Sequence, residues 1–236
     1  MQRASHDLKR RLGTVTRYLA LACVCLLTAC FSQFGSLPLT PTRAFLPTDK
    51  IPPPDVGAYG VVALRAKPTP ASKDRLNMLC VAFLKTLPPI ASMPIGITVT
   101  QEMITVWPVD DPKALQAKSE DCEILLDHYD LYGGQSAIAD ALAQGKDVSG
   151  RGPFLIGWSP ASSRHAHDAV VLVVDMSDFD SQGSFDEALI FWQRKVVEDP
   201  ALWASGFSAT KIRLALRDFA DRYGSSILKA VKIVGE

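Results

Sequence analysis

The chain has 236 residues, 47% of them hydrophobic and 21% charged, which is enough apolar substance for one good-sized core and too much for a disordered chain. Its formal charge of zero hides an asymmetry: five of the 25 basic residues (Arg3, Lys9, Arg10, Arg11, Arg17) but only Asp7 of the 25 acidic ones precede Cys30, leaving 20 against 24, about −4, beyond it. A mildly acidic domain without a basic stripe is a poor match for nucleic acid, and without a polybasic patch it has no electrostatic hold on anionic lipid.

Residues 1 to 17 are basic and lack hydrophobic periodicity, and Tyr18 to Ala29 (YLALACVCLLTA) form an uninterrupted apolar run. This is the charged and apolar sequence of an export signal. At about a dozen residues the run is short of the ~20 that a membrane-crossing helix needs. It ends in Leu27-Thr28-Ala29-Cys30, a branched apolar residue, two small residues and a cysteine. That box resembles the lipobox of bacterial lipoprotein precursors. The resemblance covers the leader alone and implies diacylglycerol on the Cys30 sulfur, cleavage between Ala29 and Cys30, and acylation of the new amino group. Each buried lipid methylene is worth ~0.8 kcal/mol, so two or more chains hold a protein stably on a bilayer. By the same resemblance, Phe31 rather than Asp after the cysteine favours the outer membrane, with the domain facing the periplasm. The competing reading is an ordinary export signal that leaves Cys30 a thiol. Cys23 and Cys25, inside the leader, serve only as small apolar residues.

From Phe31 to Val56 the prolines 38, 41, 47, 52, 53 and 54 deny helix and central strand, so residues 30–56 read as lipidated cysteine plus tether. In polyproline form at ~3.1 Å per residue the tether reaches roughly 80 Å. Phe31, Phe34, Phe45 and Leu46 are unusually apolar for a spacer and are expected against membrane or domain. Residues 57–236 then form one domain. Tyr59 to Ala66 reads as a strand, and a helix follows from Ser72, with Leu76, Leu79, Cys80, Phe83, Leu84 and Leu87 on one stripe. Ile95 to Val106 is strand-like, with a bulge or turn at Gln101-Glu102. Asp111 and Pro112 open a helix whose buried side takes Cys122, Leu125, Leu126 and Tyr129. A shorter helix spans Gly134 to Gln144 and stops at Gly145. Phe154 to Trp158 and Ala169 to Asp175 read as paired strands, the second apolar enough to be covered on both faces. Ser184 and Glu187 form a capping box for a helix ending before Pro200. The last helix runs from Ser208 to Gly224, with Ile212, Ala215, Leu216, Phe219, Ala220 and Tyr223 on one side, and the tail from Ser225 to Val234 is helix or edge strand. The predicted fold class is α/β, a mixed sheet of about four strands packed with about five helices. Its order begins like a thioredoxin-type layout, but no C-x-x-C is present.

Cys80 and Cys122 are the cysteines left beyond Cys30, each on a buried helix stripe. Export places them in an oxidising compartment, and a disulfide between them is expected, with two buried thiols as the alternative. Chemistry is less legible. Ser162, Ser163, Arg164, His165, His167 and Asp168 lie between the paired strands; His165, His167 and Asp168, with His128, are the available metal ligands, but no H-E-x-x-H spacing exists and an exposed loop explains them as well. Asp175, Asp178 and Asp180 follow a buried strand, where α/β ligand sites sit, and equally serve as turn and cap residues. Gly133-Gly134 at a helix start suits an anion or a tight turn. Trp203 and Phe207, around Gly206, suit a partner or glycan if exposed and a core if not. No cofactor motif is present, and no G-x-S-x-G. The leading expectation is a non-catalytic envelope lipoprotein, bound to the membrane through Cys30, that docks on an envelope protein. A small-molecule or glycan-binding module and a periplasmic metal-dependent enzyme are the alternatives.

Overall fold

The computed structural model describes residues 43–53, 55–89, 102–111, 120–166, 169, 171–223 and 226–234. Residues 40 onward belong to one unit, built on a single sheet. Its strands are β1 (Arg43–Leu46), β2 (Ala58–Ala63), β3 (Met103–Pro108), β4 (Phe154–Trp158), β5 (Val171–Asp175) and β6 (Val231–Val234), in the spatial order β1-β3-β2-β4-β5-β6. β1 and β2 both lie parallel to β3; β4, β5 and β6 then add antiparallel, each to its predecessor, starting on β2. The helices among the described residues are α1 (Lys73–Thr86), α2 (Cys122–Asp127), α3 (Leu131–Ala143), α4 (Gln182–Phe191), α5 (Pro200–Trp203), α6 (Ala209–Tyr223) and α7 (Ser226–Ala230). The fold is therefore α/β with a mixed sheet, of six strands rather than about four.

Side chains alternate along every central strand, and both faces are buried. Ala58 and Val62 of β2, Met103 and Trp107 of β3, Leu155 of β4 and Leu172 of β5 join the core beneath α1, α4 and α6. Their neighbours Tyr59, Val61, Ile104, Val106, Ile156 and Trp158 join a second core beneath α3. This is the period of two that a pleated strand imposes, with helices covering both sides. Glycines shape the first of these layers. Trp192, in the π-helical turn Trp192–Val197 that prolongs α4, lies across the middle of the sheet and donates to Thr105 Oγ1 at 2.8 Å. A Cβ at Gly60 would stand 2.4 Å from its ring, and one at Gly157 2.8 Å. Only residues without a side chain let the indole so close.

The two strands beyond the expected four come from the ends. β1 lies inside the stretch read as tether to residue 56, so the sheet takes in residues from Arg43. The prolines misled because they exclude central strands only: RAFL contains none, and β1 is an edge strand that pairs along its length with β3 alone, with a single further bridge from Arg43 to Pro89. Phe45 accordingly packs on the domain, its ring 6.2 Å from that of Phe83; Phe31 and Phe34 lie outside the described residues. The tail resolves into both of its alternatives, α7 followed by β6.

Caps explain the remaining boundary differences. α4 starts at Gln182 with Ser181 as its cap, not Ser184, whose amide donates to the Ser181 hydroxyl. Pro200 opens α5, capped by Asp199, because a proline at the first helical position gives up no hydrogen bond. α3 starts at Leu131, earlier than Gly134, because Asp130 accepts from Tyr132 N. Asp121, whose carboxylate accepts from Glu123 N at 2.9 Å, caps α2; the helix expected to open at Asp111-Pro112 runs from Pro112 into 112–119, and the strand start at Ile95 falls on 90–101, both outside the described residues. Cys80 of α1 and Cys122, the first residue of α2, form a disulfide with Cα atoms 5.7 Å apart. Lys73 to Glu123 at 2.7 Å supports the same pair of helices.

Candidate functional site

Three places carry the residues from which function can be argued. The first holds the His165 cluster. Residues 161–165 form a 3-10 turn, not an open hairpin loop, and Arg164 points inward with only 5% exposure. Its Nε donates to Asp140 Oδ2 at 2.5 Å and its Nη2 to Ser136 Oγ at 2.9 Å, both on α3, while the guanidinium lies over the Trp158 ring. Gln144 locks the turn by donating to the carbonyls of Ser163, Arg164 and Ala166, and accepts from Trp158 Nε1. Tyr59 stacks on Trp158; its hydroxyl is buried without a hydrogen bond beside Arg164, and burial pushes the phenol up to about 12.

Of the candidate metal ligands, the two among the described residues, His165 and His128, have different partners. His165 is 77% exposed and pairs at 3.9 Å with Asp140, whereas His128 pairs with Asp110 at 3.0 Å. His167 and Asp168 lie outside the described residues. Among the described residues no three His, Cys, Asp or Glu side chains converge. The buried Arg164–Asp140 pair escaped sequence reasoning, although Asp140 is visibly the one charge in the α3 sequence LYGGQSAIADALA. Burying such a pair costs desolvation, and losing one partner leaves the other stranded.

The second place is a cleft of about 290 Å³ at the carboxyl end of β2, between the loop 64–72, the first turn of α1 and the turn 151–153 before β4. Arg65, Lys67, Arg75 and Arg151 line it, with Leu64, Leu76 and Pro153 as apolar wall. Backbone oxygens hold the arginines. Arg65 Nε donates to Gly150 O at 2.6 Å, Arg75 Nε to Phe179 O at 2.6 Å, and Arg151 Nε to Ser177 O at 2.7 Å, an oxygen that also accepts from Arg75 Nη2 at 3.0 Å. Burial first and the Arg151 charge second lower the pKa of Arg75, and Asp178, Asp175 and Asp180 act in the opposite sense.

Those aspartates are turn residues. Asp175 accepts from Ser177 N at 3.0 Å and pairs with Lys232 at 2.9 Å; Asp178 and Asp180 are exposed. Gly152, at φ +70° where a side chain would be strained, passes the chain beneath, and its N–H donates to Ser177 Oγ at 2.8 Å. The paired glycines of α3 lie at close approaches to neighbouring elements. A Cβ at Gly133 would meet Thr48 Oγ1 at 2.6 Å and one at Gly134 the Tyr129 hydroxyl at 2.1 Å, so both admit neighbouring side chains.

The third place is the outer face of α3. Tyr132 stands 72% exposed and Leu142 50%, with Gln135 and Ala139 exposed between them, and Asp140 is turned to Arg164. The tryptophans offer no such surface. Trp107, Trp158, Trp192 and Trp203 are all buried, Trp203 donating to Val197 O, and Phe207 is buried with them, so the exposed aromatic pair considered for a glycan is core. No helix among the described residues is long and apolar enough to cross a membrane. The chain matches no protein-family model, no curated protein and no solved structure.

Proposed function

We propose that this protein is a bacterial envelope lipoprotein, held by lipid on Cys30, whose domain docks on another envelope protein rather than performing chemistry of its own. The docking half is carried by one observation, the uncharged outer face of α3. A solvent-facing helix normally carries charge opposite its apolar stripe. Here Tyr132, Gln135, Ala139 and Leu142 occupy that side, and covering the tyrosine and leucine by a partner is worth about 2 kcal/mol each.

The anchor limits which partner can reach that face. Twelve residues, 31–42, separate Cys30 from Arg43, where β1 begins. At ~3.3 Å per extended residue they span about 40 Å, half the reach of a tether running to residue 56. A domain kept this near a bilayer meets proteins of the same envelope, and Phe31 after the cysteine favours the outer membrane facing the periplasm.

Two measurements test the two halves. A Cys30→Ser chain should remain unprocessed and leave the detergent phase; normal processing with retention in detergent would remove the anchor from the proposal. A photo-crosslinking side chain at Leu142, in the full chain in its envelope, should give a discrete adduct that Tyr132→Asp abolishes. The same side chain at Lys211 on α6 should give none. No adduct at Leu142, or equal adducts at both positions, would defeat the docking face. A small-molecule module is the second reading, favoured by the cleft beside β2.

A further inference from the structure

We propose that the cleft at the carboxyl end of β2 is a binding site for a small phosphate-type anion, held by Lys67, Arg75 and Arg151 at the first turn of α1. Arg65 borders both this cleft and the α3 face, but Lys67, Arg75 and Arg151 line the cleft and not that face, so the site stands whether or not the face docks a partner.

Charge supplies the first argument. Beyond Cys30 the chain is net acidic, and several of its other cations are paired with carboxylates, Lys73 with Glu123, Lys85 with Asp186, Lys195 with Asp218 and Lys232 with Asp147. Arg65, Lys67, Arg75 and Arg151 line one cleft that no carboxylate lines, and among the described residues none of the four is in an ion pair. The acids nearest Arg75 are Asp175, Asp178 and Asp180. Asp175 is taken by Ser177 and Lys232, and all three lie outside the cleft wall.

Preorganisation supplies the second. Arg75 and Arg151 donate to the same Ser177 carbonyl, so two positive charges are held side by side over one neutral oxygen. Like charges so placed repel, and folds retain such pairs where a ligand of opposite charge resolves them. Arg75 is fixed through Nε on Phe179 O and Nη2 on the carbonyls of Met176 and Ser177, which leaves Nη1 to donate, and Arg151 is fixed through Nε alone, which leaves its Nη1 and Nη2 end for the forked hydrogen bonding that suits phosphate oxygens. Lys67 makes no hydrogen bond or ion pair among the described residues and brings a mobile point charge to the rim.

Position and size complete the case. Open α/β sheets bind ligands outside the carboxyl ends of their strands, here β2, the strand on which the sheet changes from parallel to antiparallel. The 14-residue α1 points its positive end at the same place. Leu64, Leu76 and Pro153 lower the local dielectric, which strengthens each charge contact. A volume of about 290 Å³ admits one phosphate group with a short attached body.

The test titrates inorganic phosphate into the full lipidated chain in detergent, read by calorimetry and by the thermal unfolding midpoint, with chloride at matched ionic strength as control. One saturable site should appear, with a rise in midpoint that chloride does not produce. Lys67→Gln and Arg151→Gln, both at exposed positions, should each weaken it about tenfold, the loss expected for one charge-assisted contact. Arg151→Gln alone should leave the phosphate-free midpoint unchanged or raised, since it removes repulsion on Arg75. Phenyl phosphate should bind at least as tightly as phosphate and benzoate more weakly. Displacement of bound phosphate by phosphatidic acid vesicles, but not phosphatidylcholine, assigns the group to a lipid headgroup; no displacement by either assigns it to a soluble phosphate compound. The proposal is overturned by absence of saturable binding, by equal stabilisation with chloride, by tighter benzoate, or by unchanged affinity in the Lys67→Gln/Arg151→Gln double variant. None of these outcomes touches crosslinking at Leu142, so this site and the docking face fail separately.

Discussion

Replacing both Cys80 and Cys122 by alanine measures how far the domain depends on the bridge between α1 and α2. The bridge closes a separation of 42 residues. In the chain-entropy model a loop of that length restrains the unfolded ensemble by about 4 kcal/mol at 25 °C, and truncating the fully buried Cys80 side chain adds roughly 1 kcal/mol of lost packing. Set against a total stability of about 5–15 kcal/mol for an ordinary domain, that is a large share. With a urea slope of about 2 kcal/mol per molar, the unfolding midpoint of the double variant should fall by roughly 2.5 M, and reducing the wild-type protein should reproduce about 2 M of the fall. Urea titration followed by tryptophan fluorescence reads it directly, because all four indoles are buried. A midpoint that moves by less than about 0.5 M on reduction, or two alkylatable thiols in unreduced protein, would refute the reasoning.

Gly60→Ala should cost about 1–3 kcal/mol, because its Cβ falls 2.4 Å from a Trp192 ring already held by Thr105, and Trp192→Phe in the same chain should recover part of the loss; both are read in urea. Arg164→Met should destabilise by about 2–3 kcal/mol by stranding Asp140, and a double-mutant cycle with Asp140→Asn should show strong coupling between them. Lys232→Met should free β6. The Ser149 hydroxyl and then Lys232 hold the Asp147 carboxyl well below the usual carboxylate range, and the bond to Asp147 raises Lys232. The carboxylate's contribution is therefore present above about pH 4 and lost as pH falls, whereas the ammonium's is present below about pH 10 and lost as pH rises; the variant should flatten both edges of that plateau in pH-dependent unfolding.

The places where sequence reasoning and structure part company have a common cause. Periodicity located β2, α1, α3, β4, β5 and α6 because each buries one stripe or both faces in a core, and hydrophobic spacing records burial directly. It passed over β1 because an edge strand amid prolines carries too few residues to show alternation, and it misplaced caps such as Ser181 because neighbouring serines offer the same hydroxyl. The pairing of Cys80 with Cys122 followed from counting the cysteines beyond the leader. The Arg164–Asp140 pair, by contrast, joins residues 24 apart that no local pattern links.

From residues alone come the expectation of an export leader with its lipobox, the α/β class, the main helices and the central strands, because charge count, apolar spacing and short motifs are local properties of the chain. Only the tertiary structure decided that Arg43–Leu46 belongs to the sheet, that the tryptophans are core, and that Arg65, Lys67, Arg75 and Arg151 share one cleft. Those four cations lie as much as 86 positions apart in the sequence. What sets them together is the crossing of β2, α1 and the turn before β4 at one end of the sheet, a long-range arrangement with no trace in any single stretch.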